Sequence, residues 1–189
     1  MFAPARVDNR GVPVEVSVAG AGAAAELAAL AAVTFPLACP SSVAAADIAA
    51  FVTANLSTDR FAAYLADPAR VVLRADQDGR IVGYAMLIRE ADESVVHLSK
   101  LYVGAAHHGT GAAGALMHAG IDWATGGGAP AVWLGVNRHN RRAQGFYRKH
   151  GFAVTGTRHF RLGATVQEDF VMRRDLLDLA GGTRAGEGQ

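Results

Sequence analysis

Cysteine occurs once in these 189 residues, at Cys39. That excludes an internal disulfide framework and a cysteine-based zinc site, and it suits a reducing compartment. Proline is sparse, at six residues, and no internal repeat divides the chain. No basic segment followed by an apolar core opens the sequence. No apolar run approaches the length that spans a bilayer, so we expect no membrane partner and a cytoplasmic location. Acidic residues are missing altogether from Trp123 to Gln167, a stretch that holds seven Lys and Arg although the whole chain carries a net charge of only +1. Positive charge gathered in one segment suits a polyanionic ligand. The segment also lacks the basic, aromatic-interleaved strands of RNA-binding modules, so no nucleic-acid partner is expected.

With 51% hydrophobic residues the chain is long enough for one well-buried domain and short for two. We place that domain at 12–175, with 1–11 and 176–189 as flexible ends. Val12, Val14, Val16 and Val18 alternate with polar residues and Pro13, the period of a strand. Helical patterns follow over Ala21–Val33, Val43–Leu56 and Thr58–Leu65, with Pro36 and Pro40 marking a break between the first two. Val71–Ala75 and Ile81–Arg89 read as strands joined through Asp78-Gly79, a hairpin signal, and Ser94–Val103 as the next strand. A helix from Gly111 to about Thr125 leads into an apolar strand, Ala131–Val136, which makes a parallel crossover. Asn140–His150 is a short helix with Asn140 as N-cap and Gly151 past its end. Phe152–Thr157 and Val166–Arg173 close the series as strands.

The turn between the strand Ser94–Val103 and its helix carries the chemistry. Leu101 to Ala115 reads LYVGAAHHGTGAAGA. Glycine there lets the backbone approach a phosphate closely, and the free N–H groups and positive dipole end of the helix attract its charge. Gly109, Gly111 and Gly114 satisfy the dinucleotide spacing G-x-G-x-x-G, but that fingerprint belongs to a first βαβ unit with an acidic residue about 20 positions on. Here the turn lies mid-chain and no acidic residue follows at that distance. A nicotinamide dinucleotide module using Arg138 or Arg141 is therefore a distant alternative.

With the turn, the basic segment and the second short helix taken together, the chain resembles the GNAT superfamily of acyl-CoA-dependent N-acetyltransferases, over roughly Val12 to Asp175. The family's pyrophosphate signature is Arg or Gln, two residues, Gly, one residue, Gly or Ala. It falls here on His108, Gly109, Thr110, Gly111, Ala112 and Ala113. His108 departs from the pattern, and an imidazole largely neutral at pH 7 supplies less charge there. A second motif, Asn, two residues, Ala, three residues, Tyr, three residues, Gly-Phe, is met by Asn140, Ala143, Tyr147, Gly151 and Phe152. The stretch from Trp133 through Gly156-Thr157, Phe160, Gly163, Gln167, Asp169 and Met172 looks most like the PaiA-type branch, which includes spermidine and spermine N-acetyltransferases.

The resemblance implies an α/β (α+β) fold: a twisted, mostly antiparallel mixed sheet of about six to seven strands flanked by about four helices. It implies acetyl-CoA as co-substrate, no metal, and a small-molecule amine acceptor attacked directly, in a monomer or homodimer. A polyamine is the first acceptor to expect, ahead of aminoglycosides, amino acids and protein N-termini, although Arg158 and Arg161 would oppose a polycation if they face it. In the family the residue at Tyr147 donates to the CoA sulfur, and the main chain of Leu101, Tyr102 and Val103 contacts the cofactor where two strands part. Asn140 would hold the CoA arm in addition to capping its helix. His97, placed on one strand face with Ser99 and Leu101, is the candidate base, with His159 and Asp169 behind it. The alternative to an enzyme is an acyl-CoA-binding sensor of the same fold without efficient turnover.

Overall fold

A computed structural model describes residues 6–7, 13–90, 94–163 and 165–176. The expected flexible ends lie outside these residues, except that Arg6–Val7 (β1) pairs with the start of the next strand and the Leu176 N–H donates to the Pro130 carbonyl at 2.8 Å. Seven longer strands follow: Pro13–Val18 (β2), Arg70–Gln77 (β3), Arg80–Arg89 (β4), Val96–Val103 (β5), Ala131–Asn137 (β6), Ala153–Leu162 (β7) and Thr165–Asp175 (β8). They form one sheet in the order β1-β2-β3-β4-β5-β6-β8-β7, antiparallel everywhere except between β5 and β6. The parallel crossover is made by Ala112–Gly126 (α4). Ala24–Ala38 (α1), Ala45–Asn55 (α2), Thr58–Ala66 (α3) and Arg141–Lys149 (α5) complete the helices among the described residues.

Apolar patterning explains the layers. β4 is buried without interruption from Ile81 to Leu87, the mark of a central strand covered on both faces. On one face Leu116, Met117, Ile121 and Ala124 of α4 pack on Leu73, Ala85, Leu87 and Leu98. On the other, Leu27, Ala31 and Phe35 of α1 and Phe61 of α3 pack on Val72, Tyr84 and Met86. The β3–β4 hairpin turns as its sequence dictates, with Asp78 and Gly79 at φ +52° and +71°, the conformation a two-residue hairpin loop requires.

Two expectations are corrected. The first helix does not stop before Pro36 but runs to Ala38. Proline this close to a C-terminus removes only one late hydrogen bond, and Phe35, stacked on Phe51 at 4.6 Å, fixes the last turn. The same segment, Ala21–Ala38, reaches 18 helical residues with a mean hydropathy of 1.6, so by length and composition it could cross a membrane. Here one of its faces lies against the sheet, with Leu27 and Ala31 fully buried.

Candidate active site

The ladder between β5 and β6 consists of two pairs, Val96↔Val132 and His97↔Trp133. Beyond them no pairing joins the two strands, and a cavity of about 390 Å³ occupies the gap. Its walls come from both layers: Phe35, Cys39 and Phe51 from the α1–α2 side, and Ala143 and Tyr147 of α5 from the other. The opening between the strands therefore connects the two faces of the sheet.

A β-bulge shapes the β5 wall. Leu87 pairs with Leu98 but Met86 pairs with Lys100, so Ser99 is an extra residue. Alternation changes parity there. Val96 and Leu98 before the bulge, and Leu101 and Val103 after it, face the α4 core. His97 and Tyr102 pair with Ile88 and Tyr84, which belong to the opposite core. His97 and Leu101 accordingly do not share a face, contrary to the alternation of the sequence, and Lys100 joins His97 and Tyr102 instead. The Gly104 N–H donates to the Val82 carbonyl at 2.8 Å. Strand alternation then turns the peptide groups of Leu101 and Val103 toward the gap and those of Tyr102 toward β4. Tyr102 thus offers the cavity its ring, not its main chain.

The glycine turn lies outside the cavity lining, at the N-terminus of α4. Gly109 and Gly111 have φ of +84° and +92°, and a Cβ on either would meet nothing, so it is the backbone conformation that calls for glycine. Thr110 is buried, and its hydroxyl donates to the His107 carbonyl at 2.9 Å while lying 3.5 Å from the Ala112 N–H. Among the described residues no acceptor is assigned to the N–H groups of Gly109, Gly111, Ala113 or Gly114. They are the free donors that an anion at a helix N-terminus uses. His108 turns away from this role: its Nε2 lies 3.0 Å from the Val103 carbonyl.

α5 is aimed by local hydrogen bonds. Asn140 Oδ1 accepts from the Ala143 N–H at 3.0 Å, which leaves only its NH₂ group for a ligand. Gln144 donates to the Asn137 and Arg138 carbonyls at 3.1 and 2.9 Å, tying the helix to the end of β6. Gly151, at φ +82°, ends it. Tyr147 is thereby held at the cavity wall, where burial pushes its hydroxyl up to about 12.

His97 stacks flat on Trp133, with centroids 3.9 Å apart and planes within 5°, and its Nδ1 lies 3.4 Å from Glu90. Burial, then the charges of Arg158, Lys100 and Arg70, hold it down at about 4. It is therefore neutral at pH 7, the form that can accept a proton, and the low value makes it a weak acceptor. Its burial has a consequence for stability. Between pH 4 and 6.5 the unfolded chain binds a proton at His97 that the fold refuses, so stability falls by up to about 3 kcal/mol as pH drops through that window. Denaturant titrations at pH 4, 5, 6 and 7 are expected to show this slope in the wild type and a flatter one in His97→Gln. Equal slopes would mean the ring is not buried uncharged.

Sequence reasoning named Arg158 only as a hindrance to polycations and gave Asp169 low weight, and it passed over Lys100 and Gly135. All four line the cavity, and Trp133 lies behind them. Arg158 and Asp169 are direct cross-strand partners, with Nε to Oδ2 at 3.6 Å. The register of the β7–β8 hairpin, with Leu162 opposite Thr165, sets that pairing, so counting back from a recognised hairpin would have found it. Lys100, lowered to about 8 by burial and then by Arg70, could not be found that way, because only the bulge brings it to this face. His159 is exposed and does not line the cavity.

Comparison with known proteins agrees with this geometry. Residues 41–152, more than half of the chain, match the acetyltransferase (GNAT) family model. An uncharacterized N-acetyltransferase of Mycobacterium tuberculosis is 61% identical over 152 residues, which is 80% of this chain and 97% of that protein. Among solved structures, the PaiA N-acetyltransferase of Thermoplasma acidophilum in complex with coenzyme A superposes with a TM-score of 0.75 at 19% identity, covering 86% of this chain and 98% of that one. The ribosomal-protein-S18-alanine N-acetyltransferase of Escherichia coli does so with a TM-score of 0.69 at 14% identity, covering 90% and 98%. With a parted β5/β6 pair, a free-donor turn at α4 and a family match across both, the chain belongs to the GNAT family of N-acetyltransferases.

Proposed function

We propose that this protein moves the acetyl group of acetyl-CoA directly to the primary amine of a small molecule. The observation that supports it most is the cavity between β5 and β6, reached from both faces of the sheet. A thioester can lie along the strand gap from one side while an amine approaches from the other. The free N–H groups of Gly109, Gly111 and Ala113, with Gly114 beside them, and the α4 dipole would hold the pyrophosphate. Thr110 braces the turn, and Ala112 begins the helix behind it. Leu101 would offer its N–H and carbonyl, and Val103 its N–H, to the pantetheine arm, and one of these N–H groups would polarise the thioester carbonyl. The NH₂ group of Asn140 faces the same arm.

As the N–C bond forms and the C–S bond breaks, negative charge collects on sulfur. Tyr147, held at about 12, keeps its proton against a thiolate whose ordinary value is near 8.5, so it stabilises the leaving group by donating a hydrogen bond. The amine passes its proton through water in the open cavity, with neutral His97 on that path as the candidate acceptor. A cytoplasmic location, where acetyl-CoA is supplied, goes with this reading.

Thiol release from acetyl-CoA, measured against spermidine, spermine, an aminoglycoside, amino acids and peptide N-termini, tests it, with the single equivalent of Cys39 subtracted. Turnover with one class is the expected result. A polyamine is the acceptor suggested by the PaiA-like C-terminal stretch. If acetyl-CoA raises the melting temperature but no amine is turned over, the sensor reading replaces this one.

A further inference from the structure

Resting on the transferase reading, we infer that the acceptor is a compact amino carboxylate, such as an α-amino acid, whose carboxylate is received by Arg158. Among the described residues the charges lining the cavity are two cations, Lys100 and Arg158, and one carboxylate, Asp169. Asp169 is only 7% exposed and already faces Arg158. A polyamine entering here would bring several ammonium groups to a wall that offers no uncommitted carboxylate. Desolvating an unpaired cation costs several kcal/mol in a protein interior.

Arg158 is held ready for an anion. Its guanidinium lies 5.4 Å from the centre of the Trp133 ring and rests on Gly135, where a Cβ would collide with it. Asp169 reaches it at 3.6 Å, an ion-pair separation that falls outside hydrogen-bond length, and the Nε is buried without an acceptor. Arg158, with about a third of its side chain exposed, therefore keeps donors beyond its ion pair with Asp169, and a bidentate carboxylate would take them up. Lys100, whose Nζ sits 5.1 Å from the Tyr64 ring centre, adds positive potential on the same face. The cavity's 390 Å³ must also admit the thioester end, which limits the acceptor to roughly amino-acid size.

The test separates this inference from turnover. CoA-saturated protein is titrated by calorimetry with N-acetylated amino acids of small, large and acidic side chains and with the matching C-terminal amides. Tenfold or tighter binding of at least one acid over its amide is expected, and that preference should vanish in Arg158→Gln. The double variant Arg158→Gln/Asp169→Asn repeats the test without a stranded carboxylate, should the single variant fold poorly. Equal binding of acid and amide, no binding by any acid, or a preference that survives the loss of Arg158 overturns the inference. Turnover of spermidine with amino acids ignored overturns it too, while leaving the transferase reading intact. An acid preference without turnover of any amine does the reverse.

Discussion

Tyr147→Phe is expected to lower kcat by about 100-fold or more, the range typical of a group that assists the leaving atom, while the Kd for CoA stays within about twofold. The ring itself is structural as well. It sits edge-on to Phe146 at 5.5 Å and to Phe152 at 6.0 Å, contacts that phenylalanine retains, so the substitution isolates the hydroxyl. Rapid-quench or steady-state kinetics alongside calorimetric CoA binding separate the two effects. An unchanged kcat would remove Tyr147 from the reaction, and a large rise in Kd would make it a binding residue. Because burial raises the phenol to about 12, we also expect no loss of its contribution at alkaline pH until well above 10.

Phe61→Ala should destabilise the fold by about 3–5 kcal/mol, the range for deleting a buried aromatic ring. Phe61 is completely buried, is the one fully buried side chain of α3, and meets Tyr84 and Tyr64 edge-on at 5.4 and 5.9 Å. For a domain of this size that corresponds to a drop in Tm of roughly 10 °C. The effect should reach the site. Tyr64 lies under the Lys100 ammonium and the Arg70 guanidinium, and its hydroxyl donates to the Asn55 carbonyl at 3.0 Å, linking α3 to α2. A loosened α3 therefore frees Lys100, and KM for the acceptor should rise at temperatures where the variant is still folded. A Tm shift under about 3 °C would show that α3 is not anchored through this ring.

The elements that were legible are those fixed by neighbours in sequence. Asp78-Gly79 made its hairpin, Asn140 capped α5, and Gly109 and Gly111 took the left-handed conformation that only glycine adopts freely. Pro36 misled because the helix accommodates the single hydrogen bond it removes, while Phe35 stacked on Phe51 holds the last turn in place. The sequence pattern ends the first helix at Val33, which leaves it too short for a membrane span, whereas the folded segment Ala21–Ala38 reaches 18 residues. In the site, Tyr147 and the turn were readable from motif spacing. Lys100, Gly135 and Trp133 were not, since each acquires its place from a partner on another strand.

The sequence by itself determined the layered α/β plan, the glycine turn that opens α4 and the family, because strand period, helix caps and glycine conformations are steric properties of short segments. Tertiary structure alone decided which face each side chain of β5 presents and where Arg158 rests. An extra residue at Ser99 moves Lys100 onto the cavity face and separates His97 from Leu101, and nothing local to that strand signals it. The pairing of Arg158 with Asp169, over a glycine on β6, joins three strands at once. Such contacts follow from register between distant segments, where one residue of slip reverses every side chain. That is why the family is legible in local motifs, while the residues that line the cavity come together only once the chain is folded.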